Sequence, residues 1–135
     1  EMRRTSGAEH DDIPLAVLAD EQSYSAAEFF AALMQEYGRA VTVGAKTTGK
    51  ERAQNTYKLA DGSEIVLSDQ QYLTPQGRAL GETGMTPDLE VALPEGAVFY
   101  FLEPGEDPQL AAAVGALAKK TAETGAENSE NVKNP

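Results

Sequence analysis

Two serines, a lysine and a glutamine are the residues of this chain whose types and order could carry out acyl transfer. The serines lie in "ADEQSYSAAEFF", Ala19 to Phe30, where an apolar run ends in two acids and a helix begins. Ser25-Ala26-Ala27-Glu28 fits the Ser/Thr-x-x-Glu capping box. In that motif the hydroxyl accepts from an early helix N–H and the glutamate reaches back, an arrangement worth on the order of 1 kcal/mol. The same position suits a nucleophile. A serine at a strand-to-helix turn sits at the carboxyl edge of a parallel sheet, where α/β folds place their sites. The Ala26 N–H is one of the helix's free donors and could stabilise an oxyanion. Ala26 and Ala27 are small and leave room for a substrate backbone. On this segment alone the cap is the commoner use.

A nucleophilic serine needs a base. The single histidine, His10, lies in a polar, charged stretch and reads as a solvated surface residue. A lysine serves if it is neutral, and burial lowers its pKa by disfavouring the ammonium. In "TTGKERAQ", Lys50 follows a second apolar run and Gln54 lies four residues later. That spacing puts both side chains on one face in either extended or helical chain. Gln54 could then fix the amine without adding charge. The ordinary fate of both residues is solvent exposure.

The chain has 135 residues, 41% of them hydrophobic, enough for one modest domain with a core. Its net charge is -11. That argues against nucleic acid and anionic membrane surfaces as partners, because nothing here would neutralise phosphates. No run approaches the roughly 20 apolar residues of a membrane span. There are no cysteines, which removes disulfides, thiolate chemistry and sulfur-ligated zinc. One histidine does not make a metal site. No metal or cofactor is expected. The opening "EMRRTSGAEHDD" has neither an initiator methionine nor a visible signal, so the chain reads as part of a longer protein.

The elements that must position these residues follow from pattern. Residues 1–12 read as a strand end and a loop. Ile13–Ala19, "IPLAVLA", is a short apolar run suited to a strand buried on both faces. "SAAEFFAALMQEYGRA" has helical spacing, with Phe29, Phe30, Leu33 and Met34 facing the sheet and Gly38 as the stop. Ala40–Val43 resumes strand character. Strand, helix, strand with short links is a βαβ unit with parallel strands. "NTYKLADGSEIVLSDQQYLTP" is a hairpin about Asp61-Gly62. "PQGRALGETGMTPDLEV" reads as an ordered loop, and Ala97–Leu102 as a further apolar run. Pro108–Lys120 reads as a helix capped by Asp107, with Lys119 and Lys120 at its negative end. Residues 121–135 hold one bulky aliphatic residue, Val132, and are expected to be disordered. The fold class is α/β: a βαβ unit and a hairpin joined in a mixed sheet, with a C-terminal helix.

"PLAVLADEQSYSAAEFFAALMQEYGRAVTVGAKTTGKERAQ" resembles the core of the carboxy-terminal processing, or tail-specific, proteases of peptidase family S41. The family pattern is an apolar strand, (N/D)EGSASA(S/A)E, a helix ending in GRA, then VG and (E/K)T.GKG..Q. The likeness continues through the DGS turn, the Y.TP.GR segment and the G(I/M).PD loop, and covers about Pro14 to Val91. It implies that Ser25 is the nucleophile, Lys50 the general base, Gln54 the residue that positions the lysine and Ala26 N–H an oxyanion donor. It implies a ClpP/crotonase-like half domain, with residues 1–120 forming the C-terminal portion of the catalytic domain. The second oxyanion donor, the upstream half of that domain and a PDZ domain would then lie before this segment. The implied substrate is an extended polypeptide, cut near its C-terminus in an exported, cell-envelope setting. A homodimer through exposed strand edges fits the same picture.

Three positions depart from the pattern. Gln22 replaces a glycine, Tyr24 a small residue and Glu51 the glycine after the lysine. Tyr24 would narrow the cleft, and Glu51 would favour the ammonium of Lys50 unless it points away. These departures motivate an alternative, a non-catalytic binding or assembly module of the same architecture. A crotonase-type acyl transferase is disfavoured, because no feature suits a CoA phosphate.

Overall fold

The computed structural model describes residues 12–98 and 101–131, of which 123–131 are described by backbone alone. His10, most of the N-terminal stretch and the centre of the Ala97–Leu102 run lie outside the described residues. The elements are β1 (Leu15–Ala19), α1 (Ala26–Glu36), β2 (Ala40–Gly44), β3 (Arg52–Lys58), β4 (Glu64–Gln71), β5 (Leu89–Glu90) and α2 (Pro108–Asn131).

β1, α1 and β2 form the expected βαβ unit. The strands are parallel and run level, from Leu15 opposite Ala40 to Ala19 opposite Gly44. The loops after β1 and β2 therefore leave the sheet side by side at its carboxyl edge. β5 adds to β2, also parallel, giving the order β1-β2-β5. This short strand falls in the stretch read as a loop, because two residues are too few to show a period. β3 and β4 pair antiparallel around Asp61-Gly62. The turn is as expected: Ser63 N–H and Oγ both donate to Asp61 Oδ1, and Gly62 takes a φ of +85°. The class is α/β, but the hairpin is a separate two-stranded sheet rather than part of a mixed one.

Both helices pack on β1 and β2. Thr42 meets Gln35 of α1, whereas its neighbour Val41 lines a groove with Ala112 and Ala116 of α2. Adjacent strand residues point to opposite faces, so the sheet is sandwiched between the helices. The core cluster among the described residues is small: Ala19, Ala31, Ala32, Leu80 and Met85. Fully burying a Leu or Met side chain contributes about 1.5–3 kcal/mol, and here both come from the Gly-rich loop before β5. That segment is ordered because it supplies core.

Three expectations are corrected. α1 turns Ala31 and Ala32 inward, which lets it approach the sheet closely, while Phe30 is 52% exposed rather than packed. β1 is not buried on both faces: it lies at the edge of its sheet among the described residues, and Leu15 and Leu18 are 38% and 43% exposed. α2 starts as expected, with Asp107 Oδ1 accepting from Gln109 and Leu110 N–H at 2.8 and 3.0 Å. It then continues to Asn131, through the first part of the segment expected to be disordered, which leaves Lys119 and Lys120 in mid-helix. Adding a residue to a formed helix costs far less than nucleating one. Several Ala and Glu residues there are good helix formers.

Candidate active site

The turn after β1 treats its two serines differently. Ser23 is consumed locally: its Oγ donates to Asp20 Oδ1 at 2.9 Å and accepts from Asp20 N–H at 3.0 Å. Ser25 stands at the N-cap of α1 but makes no capping bond through its side chain. Its backbone has φ 57° and ψ -123°, and Ala27 N–H donates to Tyr24 carbonyl at 3.2 Å. This is a type II′ turn with serine at the position glycine prefers. Among the described residues only Ser25 and Glu82 are non-glycines at positive φ. Such a conformation costs of order 1–3 kcal/mol and is found where a side chain must be aimed. A nucleophile on a sharp strand-to-helix turn is held this way.

Ser25 faces an open cleft of about 510 Å³ lined by Asp20, Gln22, Ser23, Tyr24, Ala26 and Ala27. Ala26, the first helical residue, carries an N–H with no helical acceptor, as the first turn of any helix does. The capping box expected of Ser25 and Glu28 does not form. Glu28 turns inward, is wholly buried, and accepts with Oε2 from Gly49 N–H at 3.0 Å and Lys50 N–H at 3.1 Å.

The loop after β2 is stitched to the loop after β1. Gly44 passes so close to Ala19 that a Cβ there would lie 1.9 Å from the Ala19 carbonyl oxygen. Ala45 N–H donates to that oxygen at 2.9 Å, Thr48 N–H to Ser23 carbonyl at 3.0 Å, and Thr48 Oγ1 to Glu21 carbonyl at 2.8 Å. Buried Thr47 exchanges bonds with the Met85 backbone on the other side. Lys50 is thereby carried to the turn that holds Ser25. Its Nζ lies 5.7 Å from the centroid of the Tyr24 ring, a cation–π contact.

Lys50 is exposed within this chain, so the shelter expected for a neutral amine is not supplied by the described residues. Glu51 points away from the lysine, as its place in the chain requires. Its Oε2 accepts from Gly81 N–H at 2.7 Å and its Oε1 from Gln71 Nε2 at 2.6 Å. Gln54 lies on β3 at an irregularity between Ala53 and Asn55, exposed and without a hydrogen bond to Lys50. The structure thus brings Ser25, Ala26 and Lys50 to one edge and leaves Gln54 on the neighbouring hairpin.

Sequence reasoning missed two residues of this site. Glu28 was hidden by the capping-box pattern it completes. Tyr72, whose hydroxyl donates to the Lys50 carbonyl, lies in an extended piece with no local signal.

A strained serine at the carboxyl edge of a parallel sheet, beside a helix N-terminus, stands where α/β folds place their sites. The profile of peptidase family S41 matches residues 1–91. The chain belongs to that family. It is 36% identical over 84 residues to a "probable CtpA-like serine protease" of Staphylococcus epidermidis, covering 62% of this chain and 17% of that protein. Among solved structures it is similar to a photosystem II D1 C-terminal processing protease, with 32% identity and a TM-score of 0.57 over 60% of this chain and 22% of the other. The tricorn protease shares the fold, with a TM-score of 0.60 over 76% of this chain and 10% of the other, at 22% identity. The chain spans about a fifth of the length of the first two.

Proposed function

We propose that the protein containing this chain is a serine endopeptidase that cuts extended polypeptides near their C-termini. The observation that supports it best is the strained Ser25 at a cleft, with Lys50 tied to the same sheet edge. Ser25 Oγ attacks the scissile carbonyl carbon and gives its proton to neutral Lys50 Nζ. Ala26 N–H donates to the oxyanion. Collapse breaks the C–N bond, and the leaving amine takes the proton from Lys50. Water, deprotonated by the same amine, then hydrolyses the acyl-enzyme and frees the serine. Gln54, on the neighbouring hairpin, is assigned the role of steadying the lysine. The matched segment is 17% of the length of the Staphylococcus epidermidis relative, so the cover Lys50 lacks here is assigned to the remainder of the protein. The isolated chain is then feebly active at most. An exported, cell-envelope setting and pairing through strand edges complete the reading.

The test is cleavage of a disordered protein by the full-length protein. Turnover that is lost in both Ser25→Ala and Lys50→Ala supports the dyad; turnover that survives Lys50→Ala excludes it. Robust cleavage by the 135-residue chain alone, abolished by Ser25→Ala, would show that no further cover is needed. A second reading, a binding or assembly module, is favoured by one observation: the Lys50 amine is exposed and rests over Tyr24. Absence of turnover in the full-length wild type would select it.

A further inference from the structure

Glu28 holds a position that chemistry makes expensive. It is wholly buried, and its Oε1 is buried with no hydrogen-bond partner among the described residues. A buried carboxylate with a free oxygen costs more than an apolar residue of the same size, so packing alone does not account for it. Its other oxygen accepts from both Gly49 and Lys50 N–H.

The opposite side of the same residue is also held. The Lys50 carbonyl accepts the Tyr72 hydroxyl, and Tyr72 N–H donates to the Glu51 carbonyl at 3.1 Å. The Tyr72 ring stands edge-on to Phe29, with centroids 5.1 Å apart at 74°. Glu28 and Phe29 are consecutive on the first turn of α1, the turn that begins at Ser25. One helical turn therefore follows the serine, holds the Lys50 N–H directly through Glu28 and meets, through Phe29, the Tyr72 ring whose hydroxyl holds the Lys50 carbonyl.

We propose that Glu28 and Tyr72 are positioning residues that clamp the Lys50 backbone so that its amine is presented to Ser25. The inference rests on the peptidase reading above. Lysine reaches its target through four rotatable bonds, and its root here lies in a loop with an exposed side chain. Displacing a reacting group by about 1 Å can cost about 100-fold in rate.

The test compares Glu28→Leu, Glu28→Gln and Tyr72→Phe in the full-length protein, with a disordered protein as substrate and a fluorophosphonate as probe. Glu28→Leu is expected to lower kcat about 100-fold with KM nearly unchanged. Glu28→Gln keeps an oxygen able to accept from both N–H groups and is expected to recover activity to within about tenfold of wild type. Tyr72→Phe keeps the ring and its stacking on Phe29, and is expected to lower kcat about fivefold without changing the melting temperature. Equal losses in Glu28→Leu and Glu28→Gln, tracking the melting temperature, would overturn the clamp. So would a Tyr72→Phe variant with wild-type kcat. If the wild type neither turns over nor takes the probe, the peptidase reading itself fails. Amide exchange at Gly49 and Lys50 then decides the clamp separately: protection lost in Glu28→Leu supports it, and unchanged protection overturns it.

Discussion

The βαβ unit and the β3–β4 hairpin are built on opposite principles. Around β1 and β2, buried groups determine geometry: Ala31 and Ala32 bring the helix close, Leu80 and Met85 fill the gap, and Glu28 ties the Lys50 loop. In the hairpin every residue of β4 is exposed, and order comes from the Asp61-Gly62 turn and cross-strand pairs such as Tyr57–Asp69. Two proposed catalytic residues, Ser25 and Lys50, belong to the first region and Gln54 to the second. Chemistry that needs fixed distances is placed where packing fixes them. Gln54, proposed to steady the base, sits instead on a separate, solvent-exposed hairpin.

The largest expected contrast is kinetic. In the full-length protein Ser25→Ala should lower kcat by about 10³-fold or more, whereas Gln54→Ala, proposed to act only through the orientation of the lysine, should cost about tenfold. Comparable losses at both positions would place the hairpin inside the rigid site. Stability should divide the same way. Met85→Ala, at a fully buried position, should cost about 2–5 kcal/mol. Val66→Ala, 56% exposed on the hairpin, should stay within about 0.5 kcal/mol. Chemical denaturation of the two variants measures the difference.

Ser25→Gly separates strain from chemistry. Glycine accepts the φ of 57° without penalty, so the variant should be more stable by about 1 kcal/mol while losing hydrolysis altogether. A serine used only as a helix cap would instead lose a few tenths of a kcal/mol on the same change. The smallest expected effect lies on the hairpin. The Tyr57 hydroxyl bond to Asp69 lowers the carboxyl below its ordinary 3.8 and raises the tyrosine above its ordinary 10.0. The carboxylate's contribution is therefore complete above pH 3.8 and lost as pH falls through the lower folded value. Asp69→Asn should remove that acid dependence from hairpin amide exchange and leave exchange in β1 and β2 unchanged.

Much of this division was legible in the sequence. The periodic helix with its Gly38 stop, the parallel strands and the DG turn each rest on a local pattern, and each formed. Gly38 N–H to Gln35 carbonyl and Arg39 N–H to Met34 carbonyl close α1 as the glycine signals. What the pattern could not show is tertiary. Glu28 reads as a cap because Ser-x-x-Glu is a local motif, but two N–H groups from another loop claim it. Phe30 reads as core by spacing, yet the small residues beside it determine which face meets the sheet. The end of α2 reads as disorder by composition, but a helix already anchored at Asp107 extends into it, helped by its Ala and Glu residues. Ser25 itself was visible as a candidate; its strained turn was not, since no residue type announces a positive φ in serine.

The most direct measurement is the rate at which a fluorophosphonate labels the full-length protein, with the modified residue located by peptide mass spectrometry. A Ser25–Lys50 dyad places the label on Ser25 alone, with a labelling rate that collapses in Lys50→Ala. Labelling elsewhere, or an unchanged rate at Ser25 without the lysine, would contradict it.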